Sequence, residues 1–369
     1  IVTATSFVPT TGQLSHRNMV VNGACNVAQR GSSSTAEGFV VDRFRTQYNG
    51  VDEAPTISQA NVNSGGAYTS GFRKCYKIQN GNQTSGAGAT DFVILNYKIE
   101  AQDLATSGWN YTSASGNATL SFWVKSSVSQ NFYGYIRTRD GTELGYPFET
   151  GTLTADTWTK VTKTIPGNSS ITFNLDTGEG VRIVISPFWG TNYTTSGKTL
   201  NTWAGWSDSS RTPDFTSTWW TTNDATFEIT GLQFEVGPVA TPFEHRSFGD
   251  ELRRCLRYYE QSYRYGDVAG SSSNTNGNID QCISSNSTGT AVYHLRFFEE
   301  KRTNPTVTFY RADTGTSGQW MAGRSGANSF NVVVTVDSFS TKSCRTYVSV
   351  GVNYGACFIQ GHYTAEAEL

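Results

Sequence analysis

Charge is scarce in this chain. Charged residues make up 16% of its 369 residues, well below the roughly 25% of an average globular protein. Solvent-exposed helices need Glu, Lys, Arg and Ala on their outer faces, so the shortage excludes a protein built mainly of such helices. Neither sign of charge dominates, because 28 basic residues stand against 30 acidic ones. No net field therefore attracts a nucleic-acid backbone or an anionic bilayer, and we expect neither partner.

Long apolar runs and closely spaced metal ligands are also missing. No run approaches the roughly 18 apolar residues of a membrane-spanning helix, and the opening IVTATSFVPTTGQLSH lacks the basic flank of a signal peptide. We therefore expect no membrane insertion. The cysteines form no CxxC pair and the histidines have no short spacing, so we predict buried free thiols and no transition-metal site. These residues are Cys25, Cys75, Cys255, Cys282, Cys344, Cys357, His16, His245, His294 and His362.

The abundant residues are those of strands and turns. The chain has 37 glycines and 13% aromatic residues, and its apolar positions fall into short runs bounded by Gly, Asn and Ser. In LSFWVK, Leu120, Phe122 and Val124 alternate with Ser121 and Trp123, as in a strand with one buried face. About ten such runs predict an all-β fold whose main part is a two-sheet jelly-roll sandwich.

The apolar pattern divides the chain into four segments. Residues 1–17 have no periodicity and are interpreted as an arm or connector, residues 18–248 form the sandwich, and residues 267–369 form a smaller C-terminal β-sandwich domain. Residues 249–266 are predicted to be a linking helix that Asp250 caps and Gly266 ends. Its apolar residues follow the i, i+3, i+4, i+7 spacing and are Leu252, Cys255, Leu256 and Tyr259.

Three strings in combination carry a family resemblance. They are RNMVVNGACNVAQRG followed by VDRFR, LSFWVKSS followed by TWTKVTKTIPG, and ITGLQFEVGPVATPFEHRSFGDELRRCLRYYEQSY. The chain thereby resembles the jelly-roll modules of phage and marine-virus structural proteins, which are related to carbohydrate-binding modules. The resemblance covers roughly residues 18–265, and residues 267–369 resemble the small β domain that often follows.

The resemblance implies a virion surface protein: a tail fibre, a receptor-binding tip, or a capsid fibre or knob. We expect a homotrimer, assembled in the bacterial host cytoplasm, whose N-terminal arm binds other virion proteins and whose distal surface binds a host cell-surface glycan. Related modules often hold a structural calcium through an aspartate of the last strand. This chain has Thr230 and Gly231 there, which puts that ion in doubt, with Asp224, Glu228 and Glu235 as weak candidates.

The stretch from Phe188 to Trp220 is the most unusual, because it mixes tryptophans with small polar residues. A flat indole packs on the C–H face of a sugar ring, and nearby polar side chains orient the hydroxyl groups. The candidate glycan-binding residues are Trp189, Tyr193, Asn201, Trp203, Trp206, Asp208, Arg211, Asp214, Trp219 and Trp220. Two alternatives remain: the aromatics pack the loop onto the sandwich, or they are buried against a neighbouring subunit.

Catalysis is not expected. Glycoside hydrolysis needs two carboxylates about 5 to 10 Å apart, and Asp208 and Asp214, the only acidic pair in this stretch, lie in polar, Ser-rich surroundings. A glycan depolymerase, or a decoration or adaptor subunit that binds no sugar, are the alternative functions. Adjacent opposite charges also occur outside this stretch, and we interpret them as structural pairs: Asp42, Arg43 and Arg45, and Glu244, His245 and Arg246.

Overall fold

The structure is a computed structural model of the chain. It describes residues 16–272, 279–285, 290–323, 330–349 and 355–369. Residues 1–15 of the predicted arm lie outside this set. The described residues divide into two compact units, which we take separately. The first comprises residues 16–26, 33–248 and 369, and the second comprises residues 27–32 and the described part of 249–368. Residues 27–32 thus group with the second unit, although the sequence placed them in the first domain.

The first unit is built of two antiparallel sheets. Their strands, in chain order, are β1 Ser33–Ser34, β2 Gly38–Phe39, β3 Phe44–Asn49, β4 Thr56–Asn61, β5 Lys74–Gln79, β6 Phe92–Glu100, β7 Asn117–Ser126, β8 Asn131–Thr138, β9 Leu144–Thr152, β10 Thr159–Pro166, β11 Glu179–Trp189, β12 Ala204–Gly205 and β13 Thr226–Val236. The six-stranded sheet has the order β1-β4-β5-β13-β7-β10, and the seven-stranded sheet has the order β12-β9-β8-β11-β6-β3-β2. The all-β sandwich prediction is confirmed.

The core of this unit lies between the two sheets and follows the alternation seen in the sequence. Leu120, Phe122 and Val124 of β7 are fully buried in it. Ile183 and Ile185 of β11 enter the same core from the opposite sheet. Because side chains alternate along a strand, Ser121 and Trp123 lie on the outward face of the six-stranded sheet, away from that core.

Short helices interrupt the strands. In the first unit they are α1 Gly65–Thr69, α2 Ala101–Ala105, a 3₁₀ turn Thr191–Tyr193 and α3 Thr218–Thr221. The predicted linking helix is α4 Phe248–Leu256, and its extension to residue 266 is wrong. The following residues form β14 Tyr259–Gln261, whose backbone pairs with residues 364–366. Aromatic residues favour strands, and Tyr259 is buried there.

The strands of the second unit are hydrogen-bonded into one eight-stranded sheet. Besides β14 they are β15 Ile279–Ser285, β16 Thr290–Arg296, β17 Thr306–Arg311, β18 Gln319–Gly323, β19 Phe330–Asp337, β20 Ser343–Ser349 and β21 Gly355–Glu366. A buried ion pair lies within this unit: Lys301 Nζ is 2.5 Å from Glu260 Oε2. The hydroxyl of Tyr363 donates to the other carboxylate oxygen of Glu260 at 2.7 Å.

The cysteines of the described residues are structural. Cys25, Cys75, Cys255 and Cys344 are buried and form no disulfide, which confirms the free-thiol prediction for these four. Burial raises the pKa of Cys25 to about 12, so its thiol stays protonated at neutral pH. The side chains of Cys282 and Cys357 lie outside the described part of the chain.

Candidate functional site

The tryptophan-rich stretch forms a loop, residues 190–217, that packs on the outward face of the seven-stranded sheet. That face carries Ile94, Tyr135 and Val184, all buried in a cluster of their own. Trp206 and Phe215 of the loop pack against this cluster. The packing alternative considered from the sequence therefore describes much of the loop, because its aromatic rings cover apolar residues of the sheet.

Three of the candidate tryptophans lie in the interior, so the prediction that they contact a glycan is wrong. Trp219 and Trp220 of α3 are 0% exposed, and the ring of Trp220 lies 4.9 Å from that of Phe188. Trp189, at the end of β11, is 2% exposed and packs 4.8 Å from the ring of Tyr193. Side chains without solvent-facing surface cannot stack on a sugar.

Three further candidates hold other parts of the loop. Trp203 is half-buried, packs on Tyr146 at 5.2 Å and donates its indole N–H to a backbone carbonyl at 2.7 Å. Asn201 and Asp214 are exposed, and Asp214 accepts a hydrogen bond of 2.5 Å from the hydroxyl of Thr194. No hydrogen bond or ring contact joins these three candidates to Trp206 in the described chain.

The remaining candidates meet at one place, which we call the Trp206 surface and define by Arg137, Tyr193, Trp206, Asp208 and Arg211. The indole N–H of Trp206 donates to Asp208 Oδ1 at 3.0 Å, and Arg211 Nη2 donates to the same oxygen at 3.3 Å. The guanidinium carbon of Arg137 lies 4.1 Å from the centre of the Trp206 ring. Trp206 is half-buried, and the side chain of Asp208 is 71% exposed.

Arg211 connects the Trp206 surface to the end of β11. Its guanidinium carbon lies 4.3 Å from the ring centre of Trp189 and 4.7 Å from that of Tyr193, both within cation–π range. The sequence identified all of this surface except Arg137. The alternation in FYGYIRT, which sets Ile136 in the core, places Tyr135 and Arg137 together on the outward face and could have identified it.

A row of cations continues from the Trp206 surface across the sheet. Arg182 lies directly opposite Arg137 on one neighbouring strand and opposite Lys98 on the other. Glu179 is 2.7 Å from Arg182 and 3.2 Å from Lys98 and so compensates their repulsion. Burial alone would raise the pKa of Glu179, but the hydrogen bond and charge of Arg182, with Lys98 and Arg139, lower it overall. Arg137 pairs with Glu143 in the same way.

A second candidate site lies on the outward face of the six-stranded sheet and was missed by the sequence analysis. A cavity of about 240 Å³, which we call the Trp123 pocket, is lined by Ser70, Phe72, Ser121, Trp123, Lys160, Gly231, Thr241, Pro242, Phe243 and His245. Trp123 was assigned to the outward face of its strand by alternation alone. A tryptophan in such a position is the signal that could have identified the pocket.

Three of the residues considered for calcium have other partners within the protein. Thr230 donates its hydroxyl to a backbone carbonyl at 2.7 Å, and Glu228 is paired with Lys125 at 3.0 Å. Glu235 accepts from the backbone N–H of Thr241 at 2.8 Å. Among the described residues, no three His, Cys, Asp or Glu side chains are grouped as metal ligands. Calcium needs six to eight oxygens, and these oxygens are already engaged within the protein.

The charged group at Glu244 has a structural role. Glu244 accepts hydrogen bonds from the backbone N–H groups of His16 and Asn18 at 2.6 and 2.8 Å and pairs with Arg246 at 3.2 Å. Arg246 in turn donates to the carbonyl of Asn18 at 2.7 Å. Arg43 of the other charged group donates to a backbone carbonyl of β6 at 2.8 Å. These contacts hold neighbouring segments of the first unit together.

Comparisons with known proteins add only distant structural neighbours. No family model and no curated protein matches the sequence. The enzymatically active domain of bacteriophage CBA120 tailspike protein 4 is 11% identical over 60% of this chain, with a TM-score of 0.32, and the match spans 21% of that tailspike chain. The N-terminal cellulose-binding domain of a Cellulomonas fimi β-1,4-glucanase is 8% identical over 58% of this chain and 99% of its own, with a TM-score of 0.29.

A family 11 carbohydrate-binding module from Clostridium thermocellum is 12% identical over 58% of this chain and 99% of its own, with a TM-score of 0.25. Likeness at this level carries no argument about activity.

Within the described residues, no helix combines the length and the apolar character needed to cross a bilayer.

Proposed function

We propose that the chain is a non-catalytic, glycan-binding protein of a phage virion surface, and that the Trp206 surface contacts the glycan. The observation that carries this proposal is the contact of Trp206, Asp208 and Arg211 at the surface of the first unit. These are the residue types that sugar recognition needs: an aromatic ring for the C–H face, and charged side chains for the hydroxyl groups.

The geometry of the Trp206 surface suits binding without large rearrangement. Asp208 fixes the indole N–H of Trp206, and the sheet residue Arg137 packs against the ring from below, so the ring is held before a ligand arrives. Such preorganisation lowers the entropy lost on binding. The exposed Asp208 keeps acceptor capacity, and Arg137 and Arg211 supply donors beside it. The exposure of Asp208 makes the site accessible to a stretch within a longer glycan.

Placement on a virion is supported by the resemblance in the three sequence strings. Attachment to a cell uses many copies at once, and effective concentration converts weak binding per copy into high avidity. A shallow surface around one tryptophan is sufficient for that purpose. Immunolabelling of intact particles with an antibody against this chain tests the placement. Absence of label on particles of the phage whose genome encodes the chain would contradict it.

The glycan proposal is tested on an array of bacterial surface polysaccharides with the full chain. We expect Trp206→Ala to weaken binding at least tenfold, about 1.4 kcal/mol, because the stacking ring is lost. Trp203→Ala is the matched control, since Trp203 is also half-buried in the same loop but packs on Tyr146 and makes no ring contact with Trp206. Equal binding by the two variants, or no binding by the native chain, would refute the proposal.

The adaptor alternative has one observation in its favour, because three of the five candidate tryptophans are packed inside the unit. An adaptor would bind no polysaccharide on the array and would bury Trp206 against another virion protein. The depolymerase alternative predicts release of reducing ends from host polysaccharide that Asp208→Asn abolishes. We expect no such release.

A further inference from the structure

We infer that the Trp123 pocket is a second sugar site, separate from the Trp206 surface, and that it takes a single acidic sugar residue. The pocket belongs to the six-stranded sheet, whereas the Trp206 surface belongs to the seven-stranded sheet. Nothing in the argument for one site depends on the other.

One hydroxyl group in the pocket is available to a ligand. Ser121 lines the pocket, and its hydroxyl makes no hydrogen bond with any described residue. A hydroxyl group can both donate and accept a hydrogen bond. A hydroxyl group of a bound sugar would provide it with a partner.

A second hydroxyl in the pocket is oriented by a carboxylate behind it. Thr241 Oγ1 donates to Glu235 Oε2 at 2.6 Å, so the proton of this hydroxyl is committed away from the pocket. The oxygen keeps a lone pair and can accept a hydrogen bond. Ser121 and Thr241 therefore offer a donor and an acceptor to hydroxyl groups on one ring.

The walls of the pocket are aromatic. Phe72 lies 4.9 Å from Phe243 and 5.1 Å from His245, and Trp123 completes the lining. Gly231 has φ +66°, and a Cβ placed on it would lie 2.5 Å from the ring of Phe72. Only glycine therefore lets Phe72 take this position. The volume of about 240 Å³ is below the range of drug-sized sites and fits one ring rather than a chain.

The charge of the lining selects an acidic sugar. Lys160 and His245 are its ionisable side chains, and no carboxylate lines the pocket. Lys160 is exposed and makes no ion pair with a described residue, so its ammonium group is available. Glu228 is held by Lys125, and Glu235 is held by Thr241 and Gln233. A carboxylate at the mouth of the pocket would complement Lys160.

The test is a titration of the full chain with methyl glucuronide and methyl galacturonide, each compared with its neutral parent glycoside. The readout is the nuclear magnetic resonance signal of the Trp123 indole N–H, assigned by its loss in Trp123→Phe. We expect the acidic sugars to shift this signal and to bind at least fivefold more tightly than the neutral ones. Absence of a shift with both acidic sugars, or equal affinity for the neutral ones, would overturn the inference.

Two matched variants separate the pocket from its surroundings. Lys160→Gln should weaken binding of the acidic sugar at least fivefold, whereas Lys163→Gln, on the same strand but outside the lining, should leave it unchanged. Trp206→Ala should also leave this titration unchanged, although it weakens binding on the polysaccharide array. Equal effects of Lys160→Gln and Lys163→Gln would contradict the role given to Lys160.

Discussion

Trp206 and Trp220 come from one stretch of sequence but occupy opposite environments. Trp220 lies in the core between the sheets and donates its indole N–H to the carbonyl of Gly86 at 2.6 Å. Trp206 lies over Arg137 on the outward face and donates to the exposed Asp208. The partner of each indole N–H thus reflects its surroundings: a backbone carbonyl in one case and a solvated carboxylate in the other.

We predict that Trp220→Ala destabilises the first unit by about 3 to 5 kcal/mol, because it removes a fully buried ring and leaves a cavity. Urea denaturation followed by circular dichroism measures the loss. Folded Trp220→Ala protein should bind polysaccharide as the native chain does. A loss of glycan affinity in well-folded protein would return Trp220 to the binding residues.

The sequence could not distinguish these two tryptophans, because composition reports which residues are present but not which side of a loop they take. Both lie beside small polar residues, and no strand pattern runs through the stretch from Phe188 to Trp220. Strand residues were easier to place. Alternation in β7 predicted both the burial of Phe122 and the outward position of Trp123.

At the scale of elements, β6, β8 and β11 place like charges side by side. Lys98, Arg182 and Arg137 occupy adjacent positions on the three strands, an arrangement that is unfavourable without compensation. Glu179 lies 3.6 Å from Arg139 in addition to its contacts with Arg182 and Lys98. This one carboxylate therefore stabilises the pairing of three strands.

We predict that Glu179 makes the first unit sensitive to acid. Its pKa is lowered in the folded state, so its stabilising effect is present above the unfolded value of about 4.3 and is lost as pH falls through the lower folded value. Glu179→Gln should cost about 1 to 3 kcal/mol at pH 7 and flatten the stability profile below about pH 5. Urea denaturation between pH 3 and pH 7 measures this, and parallel profiles would disprove it.

The element that the sequence analysis extended too far is α4. Its i, i+3, i+4, i+7 spacing continues to Tyr259, but the helix ends at Leu256. Tyr259 and Glu260 instead pair with β21, and Glu260 meets Lys301 in the interior. Local periodicity could not reveal a partner strand that lies about a hundred residues further along the chain.

At the scale of the molecule, the first unit has two proposed sites on the outward faces of two different sheets. An open surface around Trp206 and a small pocket beside Trp123 suit different parts of a glycan: an internal stretch and a single acidic residue. A protein with both sites could bind two positions on a polymer. Repetition of the chain on a particle would multiply these contacts.

We predict that the chain forms a homotrimer, as the resemblance to fibre and knob proteins implies. Sedimentation equilibrium should give a mass about three times that of the 40.3 kDa chain, independent of concentration in the micromolar range. A single-chain mass would refute this prediction and leave both glycan proposals standing, since each site is formed by one chain.

The position of β10 at the end of the six-stranded sheet has a consequence for crowded assemblies. An outermost strand presents unpaired backbone groups that can recruit another chain and start aggregation. Within the described residues β10 carries Lys160 and Lys163 and ends at Pro166, and both lysine and proline discourage such recruitment. Lys160 would thus favour solubility as well as sugar recognition. Replacing Lys160 and Lys163 together with glutamine should make solutions of the protein turn turbid at a lower concentration.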